Sequence, residues 1–181
     1  MKFRMGMILA AAAVMCTGCQ AERTGGNNTA AETEIKKEAE ETQGQEDVRE
    51  MMEIFNYEVR NSTASFAITE QSYEERLAWF QSHGGEYHPL LTAEQNGRVA
   101  GYACLSPYRP YEAYKGTAEL SVYVSPDFRR QGIGEALMRE LLGRARRFGK
   151  LHSIISVITA NNESSIRLHE KLGFSLSLIH I

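Results

Sequence analysis

From residue 46 onward the apolar positions follow two rhythms, and the switches between them mark the elements. EDVREMMEIFNYEVRN (46–61) brings Val48, Met51, Met52, Ile54, Phe55 and Val59 mostly to one helical face, with Asn61-Ser62 as its end. Ser72 followed by Glu75 is an S-x-x-E capping box, so a second helix, carrying Leu77, Trp79 and Phe80, starts there. HGGEYHP (83–89) reads as a loop. The stretch 88–108 reads as a hairpin, its strands joined by Asn96-Gly97, the favoured two-residue turn. TAELSVYVSP (117–126) is a third strand, stopped by Pro126. Between Gly132 and Phe148, Ile133, Ala136, Leu137, Leu141 and Ala145 face inward from a long helix that Gly149 closes. HSIISVIT (152–159) is mostly apolar, as expected of a strand covered on both faces. ESSIRLHEKLGF (163–174) is a short helix ended by Gly173. The order predicts an α+β fold, one sheet with helices on both faces.

Upstream of residue 46 the pattern is different. Lys2 and Arg4 precede an apolar run from about Met5 to Met15, then small residues, then Cys19. This is the layout of a secretory signal, too short for an ordinary membrane span. CTGC resembles the lipobox of bacterial lipoproteins, with Cys19 as the lipidated residue, although Cys16 stands where that motif prefers leucine. A plain signal peptide, or an N-terminus wrongly joined to the gene, are the other readings of 1–19. Residues 20–45 are polar and acidic and read as a tether, with a weak first strand within TEIKKEA (33–39).

The chain has 181 residues, room for one domain, and its 43% hydrophobic content is enough for a packed core. A net charge of −3 does not indicate a general nucleic-acid binder. Three cysteines and five scattered histidines give neither a disulfide framework nor metal-ligand spacing, so no metal is expected.

Candidate chemistry enters at FRRQGIGEALM (128–138). A helix N-terminus leaves backbone N–H groups unpaired at the positive end of its dipole. Glycines allow close backbone approach, and flanking arginines add charge and forked donors. The combination is a seat for phosphate or pyrophosphate; a turn before a basic surface helix is the bland alternative.

IFNYEVRNSTASF (54–66), ACLSPYRPYEAY (103–114), TAELSVYV (117–124), RRQGIGEALM (129–138) and NESSIRLHEKLGF (162–174) together resemble the GNAT superfamily of acetyl-CoA-dependent N-acetyltransferases. More narrowly they resemble its phosphinothricin and methionine-sulfoximine (L-amino acid) acetyltransferase branch. The resemblance spans about 46–174 and implies a mixed, mostly antiparallel sheet with helices on both faces. It implies acetyl-CoA as cosubstrate and an amino-acid-like amine as acceptor, with direct transfer. The pyrophosphate would rest on Arg129, Arg130, Gln131, Gly132, Ile133 and Gly134. The pantetheine arm would pair with the strand edge at Val122, Tyr123 and Val124, a form of strand addition.

Transfer to an amine needs a base and a proton for the departing thiolate. Glu119, interrupting an apolar strand just before the cofactor edge, is the base candidate; a solvated strand carboxylate is the alternative. His169 stands where many relatives carry a proton-donating tyrosine, and it either donates that proton or packs locally. Asn162 is implied to hydrogen-bond the pantetheine, or to cap its helix, or both; Ser165 is a weaker cofactor candidate. Acceptor candidates are Asn56, Glu58 and Ser65 around the first helix, and Arg109 and Tyr114 in the SPYRPYEAY loop. Arg109 could hold a substrate carboxylate in a bidentate pair or be an ordinary loop charge. Cys104 reads as a small core residue.

Two rival classes stay open: a non-catalytic acyl-CoA-binding domain, and an envelope lipoprotein using the same fold. The signal segment implies anchoring through lipidated Cys19, whereas the family alone implies the cytoplasm. A homodimer is a further partner class. The match stops near Ser175, whereas relatives continue with more strands, commonly near a V-G-x-K motif. LSLIHI (176–181) is what the transposon-end adapter CTGTCTCTTATACACATC translates to, so 176–181 is expected to be non-native and the last strands missing.

Overall fold

The structure is a computed structural model that describes residues 11–16, 34–36 and 41–177, with side chains from residue 46 onward. Cys19, most of the tether and the last four residues lie outside the described residues. The strands are β1 (Ala11–Cys16), β2 (Glu34–Lys36), β3 (Leu90–Gln95), β4 (Arg98–Pro107), β5 (Thr117–Val124), β6 (Ser153–Thr159) and β7 (Phe174–Ser177). The helices are α1 (Glu41–Asn61), α2 (Tyr73–Gln81), α3 (Ile133–Phe148) and α4 (Glu163–Lys171). They form one sheet in the order β2-β3-β4-β5-β6-β1-β7. Only β5 and β6 run parallel; every other neighbouring pair is antiparallel. The expected mixed, mostly antiparallel α+β fold is therefore what forms.

Local signals explain most boundaries. Ser72 Oγ accepts from the Glu75 amide and the Glu75 carboxylate accepts from the Ser72 amide, completing the capping box of α2. Asn96 and Gly97 both take positive φ, 56° and 72°, which turns β3 tightly into β4. On α3, Ile133, Leu137, Met138, Leu141, Leu142 and Ala145 are buried at helical spacing. Each fully buried leucine among them contributes about 1.5–3 kcal/mol.

Two cores result. Alternate residues of β3, β4 and β5, including Leu91, Ala103, Leu105 and Leu120, pack against α3 and the apolar side of α4. The opposite face carries Tyr102 and packs against Val48, Met51 and Ile54 of α1, with Leu77 and Trp79 of α2 beside them.

Short strands also form within the end segments. Part of the apolar run read as a signal is strand β1, seated between β6 and β7. The weak strand expected within 33–39 is β2, on the outer edge of β3. Leu176 and Ser177, the start of the segment read as non-native, continue β7.

Candidate active site

The parallel pair β5–β6 is short. It holds only at Thr117–Ser153, Ala118–Ile154 and Glu119–Ile155, after which the strands part. The wedge between them is a small cleft of about 60 Å³ bounded by Leu120–Tyr123 of β5 and Ser156–Ile158 of β6. Ala64 closes one side; Asn162, Ser165 and His169 close another. Glu119 is thus the last β5 residue paired before the fork.

Glu119 is half-buried, and burial raises its carboxyl above the ordinary glutamate range. Past it, β5 has no ladder partner on its β6 side; Val122 and Tyr123 line the cleft, and the Val124 carbonyl accepts from Arg129 Nε at 3.4 Å. The Tyr123 ring stacks on Tyr102 at 5.2 Å and meets Phe55 edge-on at 5.7 Å. Burial pushes its hydroxyl up to about 12.

The glycine loop lies where β5 runs into α3. Arg130 has φ 61° and Gly132 φ 83°, two left-handed residues at the entrance to α3, whose first amides have no intrahelical partner. Gly134 sits on a packed surface: a Cβ there would come 3.3 Å from Leu168 and 3.4 Å from Val124. Ile133 is buried in the core, so it anchors the loop from below, while Arg130 and Gln131 are exposed. Arg129 is paired to the buried carboxylate of Glu58, which ties the loop to α1. A helix N-terminus with a close-packed glycine and an exposed arginine fits a phosphate-bearing ligand.

At the α4 end, Asn162 caps the helix: its Oδ1 accepts from the Ser165 amide at 3.2 Å and from the Ser164 hydroxyl at 3.0 Å. His169 is 2% exposed. Its Nδ1 lies 2.8 Å from the Ser165 carbonyl and its Nε2 lies 2.9 Å from Ser156 Oγ. Burial lowers its pKa, so the ring is neutral at neutral pH.

The acceptor candidates do not converge. Both amide atoms of Asn56 are taken up by the backbone of Gln71, at 2.8 and 2.9 Å. Ser65 Oγ accepts from the Ala67 amide at 3.1 Å, a local turn bond. Glu58 faces Arg129 and accepts from the Ser62 hydroxyl at 2.6 Å. Together they shape the 62–71 loop, which Thr63 docks to Asn161 at 3.1 Å. Arg109 is exposed, its guanidinium 5.3 Å from the Tyr108 ring centroid, and Tyr114 meets the same ring edge-on at 5.6 Å. Cys104 is buried, and burial pushes its thiol up to about 11, as expected of a core residue.

Several participants were missed from sequence. Ser156 stands in the middle of SIISVIT, between Ile155 and Val157, and that interruption was the available signal. Arg76 is 2% exposed and lies 3.7 Å from the Trp79 ring centroid, with Tyr102 and Phe55 also beneath it. Nothing in YEERLAWF distinguishes it from a surface arginine. Among the described residues, no group of His, Cys, Asp and Glu could hold a metal ion.

The family described as "Acetyltransferase (GNAT) family" matches residues 50–174. The chain is 39% identical over 135 residues to an L-methionine sulfoximine/L-methionine sulfone acetyltransferase of Pseudomonas aeruginosa, covering 74% of this chain and 78% of that one. Among solved structures, an acetyltransferase from Salmonella typhimurium with its cofactor acetyl-CoA superposes with a TM-score of 0.73 at 32% identity, over 80% of both chains. A phosphinothricin acetyltransferase from Sinorhizobium meliloti in complex with acetyl-CoA gives 0.71 at 34% identity, over 79% of this chain and 75% of that one.

Proposed function

Because the chain belongs to the acetyltransferase (GNAT) family, we propose that it moves an acetyl group from acetyl-CoA to the amine of a small amino-acid-like substrate such as methionine sulfoximine or phosphinothricin. The observation that carries this reading is the position of Glu119 at the fork of β5 and β6, half-buried and next to an unpaired strand edge.

An ammonium has no lone pair, so the acceptor must lose a proton before it attacks. Glu119 takes that proton, and burial raises its affinity for it above that of an ordinary glutamate. The β5 edge at Val122–Val124 orients the pantetheine amides, and the loop 129–134 holds the pyrophosphate. Asn162 stiffens the α4 end of the cleft, with Ser165 beside it. For His169 the favoured role is to fix Ser156 at the thioester end and to take part through that hydroxyl, since Ser165 and Ser156 engage both ring nitrogens. Arg109, exposed beside Tyr108 and Tyr114, is the candidate for the substrate carboxylate.

The test is release of CoA thiol from acetyl-CoA by the purified chain, with methionine sulfoximine, phosphinothricin, common L-amino acids and amines lacking a carboxylate as acceptors. Release that depends on the amino acids supports the reading. Tight acetyl-CoA binding without release with any acceptor would favour the acyl-CoA-binding alternative.

A further inference from the structure

One group outside the cleft lies on the path a proton must follow. With an ammonium substrate, the balanced reaction is R–NH3⁺ plus acetyl-CoA giving the N-acetyl product, CoA thiol and one H⁺. Two protons leave the nitrogen; one ends on the thiol and the other must reach solvent. Glu119 at the fork is half-buried, so it needs an outlet.

Ser106 on β4 stands directly opposite Glu119 on β5. Cβ atoms of such pairs lie about 4.5–5.5 Å apart, so a side-chain rotation or one water joins carboxyl to hydroxyl. Ser106 Oγ lies 2.9 Å from His83 Nε2, and His83 Nδ1 lies 2.8 Å from the Trp79 carbonyl. A carbonyl only accepts, so Nδ1 carries the hydrogen and Nε2 of the neutral ring accepts from Ser106. Cys104 Sγ, 3.8 Å from Ser106 Oγ, then donates to it. His83 is partly exposed at the end of α2, beside the exposed Ser82.

We propose that Ser106 and His83 form the proton outlet of Glu119. This inference rests on the acetyltransferase reading above. Protonated Glu119 donates to Ser106 Oγ as the Ser106 hydrogen passes to His83 Nε2. A rotation of the partly exposed ring away from Ser106 then carries the Nε2 proton to water, and loss of that proton restores the Nδ1–H form. No electrons move, and the carboxylate is restored. The charged and titratable groups around the path suit transit rather than storage. Arg76 from α2 and His88 from the following loop both disfavour a lasting charge on His83, as burial does. Cys104 and Tyr123 on the strands stay protonated, and Glu58 on α1 is paired with Arg129. Ser106 and His83 are positioning residues in this account, since neither touches the acceptor.

The experiment compares wild type with Ser106→Ala and His83→Gln at low buffer concentration. Both variants should lose about tenfold in kcat, less than the 10²–10⁴ of a direct acid–base group, with KM for acetyl-CoA unchanged. Their solvent deuterium isotope effect should rise, and added imidazole should restore kcat in His83→Gln. Unchanged kcat, or a loss that neither imidazole nor isotope substitution affects, overturns the proposal. A ¹⁵N NMR titration of His83 separates it from the function reading. The outlet predicts an Nδ1–H ring whose titration changes in Glu119→Gln, through the Ser106 hydroxyl that stands opposite Glu119. If wild type acetylates no amine, the function reading has failed. The titration still decides the outlet: an Nε2–H ring, or one indifferent to Glu119→Gln, overturns it.

Discussion

Ser156 Oγ lies 2.9 Å from Nε2 of His169 and 3.2 Å from the Leu120 carbonyl, and its single hydrogen cannot serve both. With Nδ1–H donating to the Ser165 carbonyl, a neutral His169 takes the Ser156 hydrogen on Nε2. If His169 charges, both nitrogens donate and the hydroxyl turns to Leu120. The hydroxyl orientation at the cleft floor is therefore tied to the histidine's charge.

This pair predicts acid sensitivity. Burial depresses the pKa of His169, and of His83 as well, so the folded state binds fewer protons than the unfolded chain. Stability from such groups is present above the unfolded value of 6.5 and is lost as pH falls through the folded values. Melting temperature should fall as pH drops from 7 toward 5, and the drop should be smaller in His169→Phe. Equal drops in both would assign the acid sensitivity to other groups.

Gly132 has φ 83° at the entrance to α3, a conformation that costs an L side chain about 1–2 kcal/mol. Gly132→Val should therefore destabilise the chain by about that amount and weaken acetyl-CoA binding, because the amides at 129–134 shift with it. Calorimetric titration with acetyl-CoA checks this; wild-type affinity would mean that the pyrophosphate seat is elsewhere.

Arg109→Ala should raise KM for amino acids more than for amines lacking a carboxylate, because the forked guanidinium pairs with a carboxylate and not with a bare amine. Steady-state kinetics on matched pairs of acceptors reads it. An equal rise for both would remove Arg109 from carboxylate recognition.

Strand β1 bridges β6 and β7, so deleting residues 1–19 should leave two strand edges open. A loss of about 2–3 kcal/mol would lower Tm by roughly 4–12 °C for a chain of this size. An unchanged Tm would mean that the strand adds nothing to the folded state.

The contrast between these sites explains what could be read in advance. The helices were legible because Val48, Met51 and Ile54, or Leu137 and Leu141, repeat at one period and bury one face. Glu119 was legible because a carboxylate breaks an apolar strand. Strand β1 was not, since AAAVMC is apolar in the same way whether it forms part of a leader or fills a sheet. That Asn56 bonds the backbone of Gln71 through both amide atoms, and that Ser65 Oγ accepts from the Ala67 amide, depends on how the 62–71 loop folds back and is not legible in the sequence. Ser106 and His83 lie 23 positions apart and meet only because α2 packs across β4.

The most direct test of the account is Glu119→Gln at saturating acetyl-CoA, with N-acetylated amino acid quantified by mass spectrometry across pH. Wild type should lose kcat/KM as pH falls through the raised pKa of Glu119, above the ordinary glutamate range. The variant should bind acetyl-CoA normally, lose about 10²–10⁴ in turnover and lack that acid limb. Product formed at the wild-type rate with an unchanged pH profile would contradict the assignment of Glu119 as the base.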